Sequence, residues 1–236
     1  MSDISQYYDQ FYRKYFLDLD ESGNNFRKIA PLWTQLDSSS RVLDIGCGAG
    51  SVSVHIVNEG NEVYGLDISQ EAVRRAQAKG LKAQIYDISK ELPFESRFFN
   101  CVLALDILEH LFDPLGCLKE VHRVLKPEGY AIIVLPLHFN IRERLRILFG
   151  KGIIDSKSIS LDSAGVLKPW TFDHIRFFTL REAKEIFREA GFRIEAESYS
   201  FISLQLPGRL RRVGRWLIVH SPKLFASEIK VRLRKV

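Results

Sequence analysis

Runs that are apolar at nearly every position recur through the first 136 residues, each separated from the next by a helical pattern. A strand of that kind has two faces to bury, so the alternation predicts a parallel sheet covered by helices on both sides. The strands read Arg41 to Ile45, Glu62 to Leu66, Leu81 to Tyr86, Phe98 to Leu105 and Tyr130 to Leu135. Between them, helices run over Val52 to Asn58, closed by Gly60, and over Gln70 to Lys79, capped by Ser69 and ended by Gly80. A third runs from Leu115 to Leu125 and ends at Pro127-Glu128-Gly129. Thr179 then caps the amphipathic helix of LREAKEIFREAGF, a strand spans Phe192 to Phe201, and EIKVRLRKV alternates apolar with basic residues as a half-exposed strand does. The expected architecture is α/β, one doubly wound, Rossmann-like domain over residues 1–236.

Three segments stand outside this rhythm. Tyr8, Phe11, Tyr12, Tyr15 and Phe16 recur at helical spacing, as do Phe26, Ile29, Ala30, Trp33 and Leu36, so residues 1–38 are expected to form N-terminal helices that lid the core at 40–136. Residues 137–176 hold the basic amphipathic NIRERLRILFG, the polar DSKSISLDS and the return KPWTFDHIRFFT; a segment that long between regular elements is usually a functional cap. Residues 202–225 make a second, basic insertion. The N-terminus has no apolar signal region, and no apolar run approaches the roughly 20 residues that cross a bilayer, so a cytoplasmic protein is expected. Cys47, Cys101 and Cys117 show neither C-x-x-C nor Cys/His spacing, which points to reduced thiols and to no metal.

VLDIGCGAG, at Val42 to Gly50, ends the first strand in a glycine loop. A dinucleotide fingerprint needs a third glycine where Ser51 stands, and no Gly-Lys-Ser/Thr follows to make a phosphate loop. Asp44, two residues before Gly46, would repel a pyrophosphate and attract a cation such as an ammonium or a sulfonium. Asp67 closes the second strand, where an acid accepts both hydroxyls of a ribose, and Asp87 closes the third, where it can take an exocyclic amine of adenine. Ligands of such sheets bind at the C-terminal ends of the strands, so the three acids line one crevice. A cation, a ribose and an adenine together describe S-adenosylmethionine.

The ordered set VLDIGCGAG, VYGLDIS, YDIS followed by LPF, FFNCVLALDILEHLFDP and LKEVHRVLKPEGYAIIVLP resembles the successive motifs of class I S-adenosylmethionine-dependent methyltransferases, over roughly residues 40 to 136. The resemblance implies that Asp44 and the backbone at Gly46 and Gly48 hold the methionine moiety, Asp67 the ribose, and Asp87 with Ile88 the adenine. Leu105 would lie near the sulfonium, and Cys47 and Ile68 complete the contact set, Cys47 as a small loop residue rather than a reactive thiol. It also implies a seventh, antiparallel strand beside the fifth, a role that EIKVRLRKV fits.

Methyl transfer from an activated donor needs mainly a nucleophile held in line, helped by a base when that nucleophile is oxygen or nitrogen. His174, in DHIRFFT, and His110, in DILEHL, are the candidate catalytic residues; His138 opens the cap, and His122 is expected at the surface. From Gln205 to Val236 nine lysines and arginines stand against Glu228 alone, and in PGRLRRVGRWLIVHSP Leu210, Val213, Trp216 and Leu217 share one helical face. With Ile141, Leu145 and Leu148 of the cap, this reads as docking on an anionic membrane surface, the acceptor being a small molecule: a lipid, a quinone-like compound or a lipid-linked sugar. The plainer alternative is that these faces pack on the domain. An RNA methyltransferase is disfavoured, because the basic residues interleave with aliphatic side chains rather than with stacking aromatics. A non-catalytic cofactor-binding partner is the remaining alternative: RLRILFG with W-x-x-x-H-I-R-F-F-T faintly resembles methionine-biosynthesis W-type proteins.

Overall fold

A computed structural model describes residues 5, 6, 8, 9, 12, 13, 24–151, 174–201, 216 and 219–236. Seven strands form one sheet: β1 (Arg41–Ile45), β2 (Glu62–Asp67), β3 (Lys82–Ile85), β4 (Phe99–Leu105), β5 (Leu125–Pro136), β6 (Phe192–Phe201) and β7 (Ala226–Lys235). Their order is β3-β2-β1-β4-β5-β7-β6. The first five are parallel; β7 inserts antiparallel between β5 and β6, pairing Ile133 with Val231 on one side and Tyr199 with Ile229 on the other. The expected doubly wound sheet and its antiparallel seventh strand are both present.

Alternate residues of each strand go to opposite faces, and both faces are covered. Val42, Leu103 and Ile132 pack with Ile29 of α1 (Asn24–Ile29), Ile56 of α2 (Ser53–Asn58) and Val73 of α3 (Gln70–Ala78). Leu43, Val102 and Ile133 pack with Leu118 of α4 (Pro114–Val124) and Phe187 of α6 (Leu180–Glu189). Ser69 caps α3 by accepting from Ala72 N–H, and Thr179 with Glu182 forms a capping box at α6.

Some boundaries differ from the expected ones. The second aromatic stripe is helical only to Ile29; Pro31 follows, and Trp33 and Leu36 pack from an irregular segment. The fifth strand starts five residues early, because Leu125 pairs with Phe99 and Phe98 N–H bonds to Val124 C=O before a register shift. The expected faces at Phe11, Tyr15, Phe16, Leu210, Val213 and Leu217, and DSKSISLDS, lie outside the described residues. Among the described residues, no helix is long and apolar enough to cross a membrane.

The basic end is partly consumed by the sheet. Arg232 and Arg234 both pair with Glu195 of β6, and Lys235 donates to the carbonyls of His122 and Leu125. These cations lock β7 between its neighbours, and they offer correspondingly little to a polyanion.

Candidate functional site

The glycine loop leaves β1 at the C-terminal edge of the sheet and is stapled to β2. Gly46 and Cys47 N–H groups bond to Leu66 C=O at 2.8 and 3.0 Å, and Gly48 N–H bonds to Asp67 Oδ2 at 2.8 Å. Gly46 and Gly48 have φ of +68° and +52°, the left-handed region that a side chain resists. Close contacts reinforce the need: a Cβ on Gly46 would lie 2.7 Å from Ile107 Cδ1. The loop therefore presents bare backbone beside Ile107, which follows β4.

Two buried carboxylates face this backbone. Asp44 accepts the Ser53 hydroxyl at 2.6 Å; burial, helped by Asp67 and opposed by Ser53, pushes its pKa up to about 7. Asp67 accepts from Gly48 N–H and, at 2.9 Å, from Ser69 N–H; burial raises its pKa against those bonds. Each carboxylate oxygen keeps a further lone pair for a ligand hydroxyl. Cys47 is buried, and burial raises its thiol pKa, as expected of a structural rather than a nucleophilic cysteine. Its Sγ sits where a Cβ on Gly65 of β2 would fall, 2.8 Å away. Asp87 is half-buried; Oδ1 accepts from Ser89 N–H and Oγ–H, and these bonds lower its pKa. Ile88 is buried, whereas Ile68 and Leu105 are half-buried at the rim.

An N-terminal strap lies across the loop. Asp9 accepts from Ser69 Oγ–H at 2.6 Å and Glu71 N–H at 3.1 Å, and Ser5 Oγ donates to Ile68 C=O at 3.0 Å. The Tyr12 hydroxyl stands 2.6 Å from where a Cβ on Gly48 would be, and its pKa is raised by burial and then by Asp67. The aromatic spacing at residues 8–16 signalled a helix, but only the fold shows Tyr12 reaching the loop. Asp9→Ala should cost about 1–2 kcal/mol, because Ser69 Oγ–H loses a buried acceptor; urea denaturation measures it.

A 3-10 turn (Leu108–His110) follows β4, and the chain leaving β5 passes through His138. Ile175 and Arg176 N–H groups both bond to Glu109 C=O, at 2.9 and 3.0 Å, which brings His174 to this turn. Glu109 Oε1 lies 3.8 Å from Nε2 of His110 and 3.8 Å from Nε2 of His174. His138 Nδ1 accepts from Phe178 N–H at 3.2 Å, so its proton resides on Nε2 and is donated to His174 Nδ1 at 2.8 Å. Burial, then His174, pushes the His138 pKa down to about 4 and keeps it neutral. His174 thus joins His138 to Glu109. The sequence reading singled out His110 and His174 but missed Glu109, which looks like an ordinary turn acid until the fold makes it 1% exposed.

Beyond this cluster, Asn140 caps α5 (Ile141–Leu148) by accepting from Arg142 and Glu143 N–H. Of the expected face Ile141 is half-buried, whereas Leu145, Leu148 and the following Phe149 are exposed, the last two by 74% and 76%, so among the described residues these side chains are largely uncovered. The helix lies near α7 (Pro222–Phe225), where Leu224 is also exposed; Trp216 and Val219, earlier in the chain, are exposed as well.

A family model described as a methyltransferase domain matches residues 12–197. The demethylmenaquinone methyltransferase of Geobacillus kaustophilus is 31% identical over 187 residues, 70% of this chain and 76% of that protein. The ubiquinone biosynthesis O-methyltransferase of Ralstonia nicotianae is 26% identical over 160 residues, 65% of this chain and 63% of that protein. With some other curated relatives the match spans only about half of their length, 50% in one from Bacillus subtilis. In fold, the chain is similar to an S-adenosylmethionine-dependent methyltransferase from Thermotoga maritima, with a TM-score of 0.64, 18% identity, and 98% and 99% of the two chains covered.

Proposed function

The chain belongs to the class I S-adenosylmethionine-dependent methyltransferases, and from that membership we propose that it methylates a small, hydroxyl-bearing acceptor of quinone-like or lipid character. The observation that carries the cofactor half is the pair of buried acids beside bare glycine backbone. Asp44, costly to ionise where it stands, gains most from a cationic methionine moiety; Asp67 takes the ribose, and Asp87 with Ile88 the adenine. Gly46, Cys47 and Gly48 supply the loop, while Ile68 and Leu105 form its apolar rim.

His110 and His174, with Glu109 between them, are assigned to the acceptor and its proton. In the transfer, the acceptor oxygen forms a bond to the methyl carbon as the carbon–sulfur bond breaks. The electron pair goes to sulfur, and the acceptor proton leaves through this cluster. The names of the quinone-related relatives support a small-molecule acceptor. Incubation with methyl-labelled cofactor and separated lipid, small-molecule and RNA extracts tests the reading. Label in an organic-soluble product is expected, whereas label in RNA alone would overturn it.

The membrane part of the reading rests on α5. Its exposed leucines and Phe149 are flanked by Arg142, Arg144 and Lys151, a pattern suited to an anionic bilayer, and the helix starts five residues after β5 ends at the acceptor side. Vesicles containing anionic lipid should sediment the protein, and the double variant Leu148→Glu/Phe149→Glu should reduce that binding at least about tenfold. Equal recovery with neutral and anionic vesicles would remove the docking element and leave the methyl transfer standing.

A further inference from the structure

We propose that Glu109, His110 and His174 form a binding site for a divalent transition-metal cation, whose open positions take the oxygen of the methyl acceptor. One carboxylate oxygen and one nitrogen from each imidazole lie within 4.8 Å of one another. Metal–ligand bonds of about 2.0–2.2 Å place ligand atoms about 3.4 Å apart, so a small contraction of the three side chains closes the set. The two backbone bonds from Ile175 and Arg176 to Glu109 C=O hold together Glu109 and His174, 65 residues apart in sequence.

The donor set selects the ion. Two imidazoles and one carboxylate suit zinc and its transition-metal neighbours, and three protein ligands leave positions open, as catalytic sites do. Magnesium, which prefers oxygen ligands, is disfavoured. His138 is the outer partner that orients His174. Metal at Nε2 of His174 moves that ring's proton to Nδ1 and reverses the His138–His174 hydrogen bond, so His138 gives up the bond from Phe178 N–H. The loaded form therefore carries its own signature. Ile107, two residues before Glu109, packs on Gly46, so the ion would stand beside the methyl-donor loop. With the ion bound, these side chains are ligands and no longer the proton's route: a hydroxyl bound there is more acidic, releases its proton to solvent instead, and the resulting oxyanion attacks the methyl carbon as sulfur departs with the bonding pair.

The catalytic consequence rests on the methyltransferase reading, but cation binding does not. Chelator-stripped full-length protein is titrated with Zn2+ by calorimetry, and separately with S-adenosylmethionine. One equivalent of Zn2+ with micromolar or tighter affinity is expected, with Mg2+ far weaker. Glu109→Gln, His110→Ala and His174→Ala should each weaken Zn2+ binding at least about 100-fold, while His122→Ala should leave it intact. Should those variants fail to fold, the wild-type 15N NMR spectrum gives a second measure: Zn2+ should move the His174 proton from Nε2 to Nδ1. Absence of stoichiometric Zn2+ binding, undiminished binding in Glu109→Gln, or unchanged histidine tautomers would overturn the site. Zn2+ failure with intact cofactor binding sinks only this proposal; the converse sinks the methyltransferase reading.

Discussion

Asp44→Asn is expected to weaken S-adenosylmethionine binding at least about 100-fold while stabilising the ligand-free protein, two effects of opposite sign from one atom pair. Asn keeps the shape and an acceptor for the Ser53 hydroxyl, so what is lost is the negative charge. That charge is expensive without a ligand, since burial raises the Asp44 pKa from 3.8 to about 7. A carboxyl that holds its proton more tightly when folded makes stability fall as pH rises from about 4 to about 7, and stay low above. The stabilisation by Asn should therefore be on the order of 1–3 kcal/mol at pH 8 and fade as pH falls from about 7 towards about 4. Cofactor affinity of the wild type should run the other way, rising with pH through 7, because a cationic methionine moiety needs the ionised acid. Calorimetry and thermal melts across pH 5 to 8 measure both. A destabilised variant, or one that binds the cofactor normally, contradicts the assignment of Asp44.

Gly46→Ala should destabilise the fold by about 2–3 kcal/mol and abolish cofactor binding, through two separable strains. The left-handed φ of +68° costs a side chain about 1–2 kcal/mol. The added Cβ also meets Ile107 at 2.7 and 2.8 Å, a β-branched side chain with little rotamer freedom, so the turn after β4 must shift. Shortening that neighbour in Gly46→Ala/Ile107→Ala should recover the contact part but not the backbone part. Denaturant titration of both variants separates them. Complete recovery in the double variant would show that φ is not limiting, and no recovery would show that Ile107 does not crowd the loop.

The contrast between Asp44 and Glu109 marks how far the sequence could be read. Asp44 announces itself by its neighbours in the chain: a buried strand before it and Gly46 and Gly48 after it leave an acid where a pyrophosphate cannot go. The role proposed for it follows from residues within a few positions, as does the pairing expected of β7, whose apolar residues alternate. Glu109 has no such local signal. His110 adjoins it in the chain, but the second histidine, His174, lies 65 residues on and is held by backbone bonds that no pattern encodes.

The same division runs through the apolar segments. Periodicity identified α5 as amphipathic but could not say whether its face is covered, because coverage depends on what packs nearby; the fold leaves Leu148 and Phe149 in the open. Charge counting found the basic C-terminal end but not that Arg232 and Arg234 are spent on Glu195, a partner from a separate strand. What the chain determined by itself was element type, sheet class and the placing of the acids proposed for the cofactor, since these rest on spacing along the backbone and on short-range sterics. The histidine–glutamate cluster, the Tyr12 strap and the exposed face were decided only by tertiary structure, because each depends on groups distant in sequence being brought within a few ångströms or kept apart.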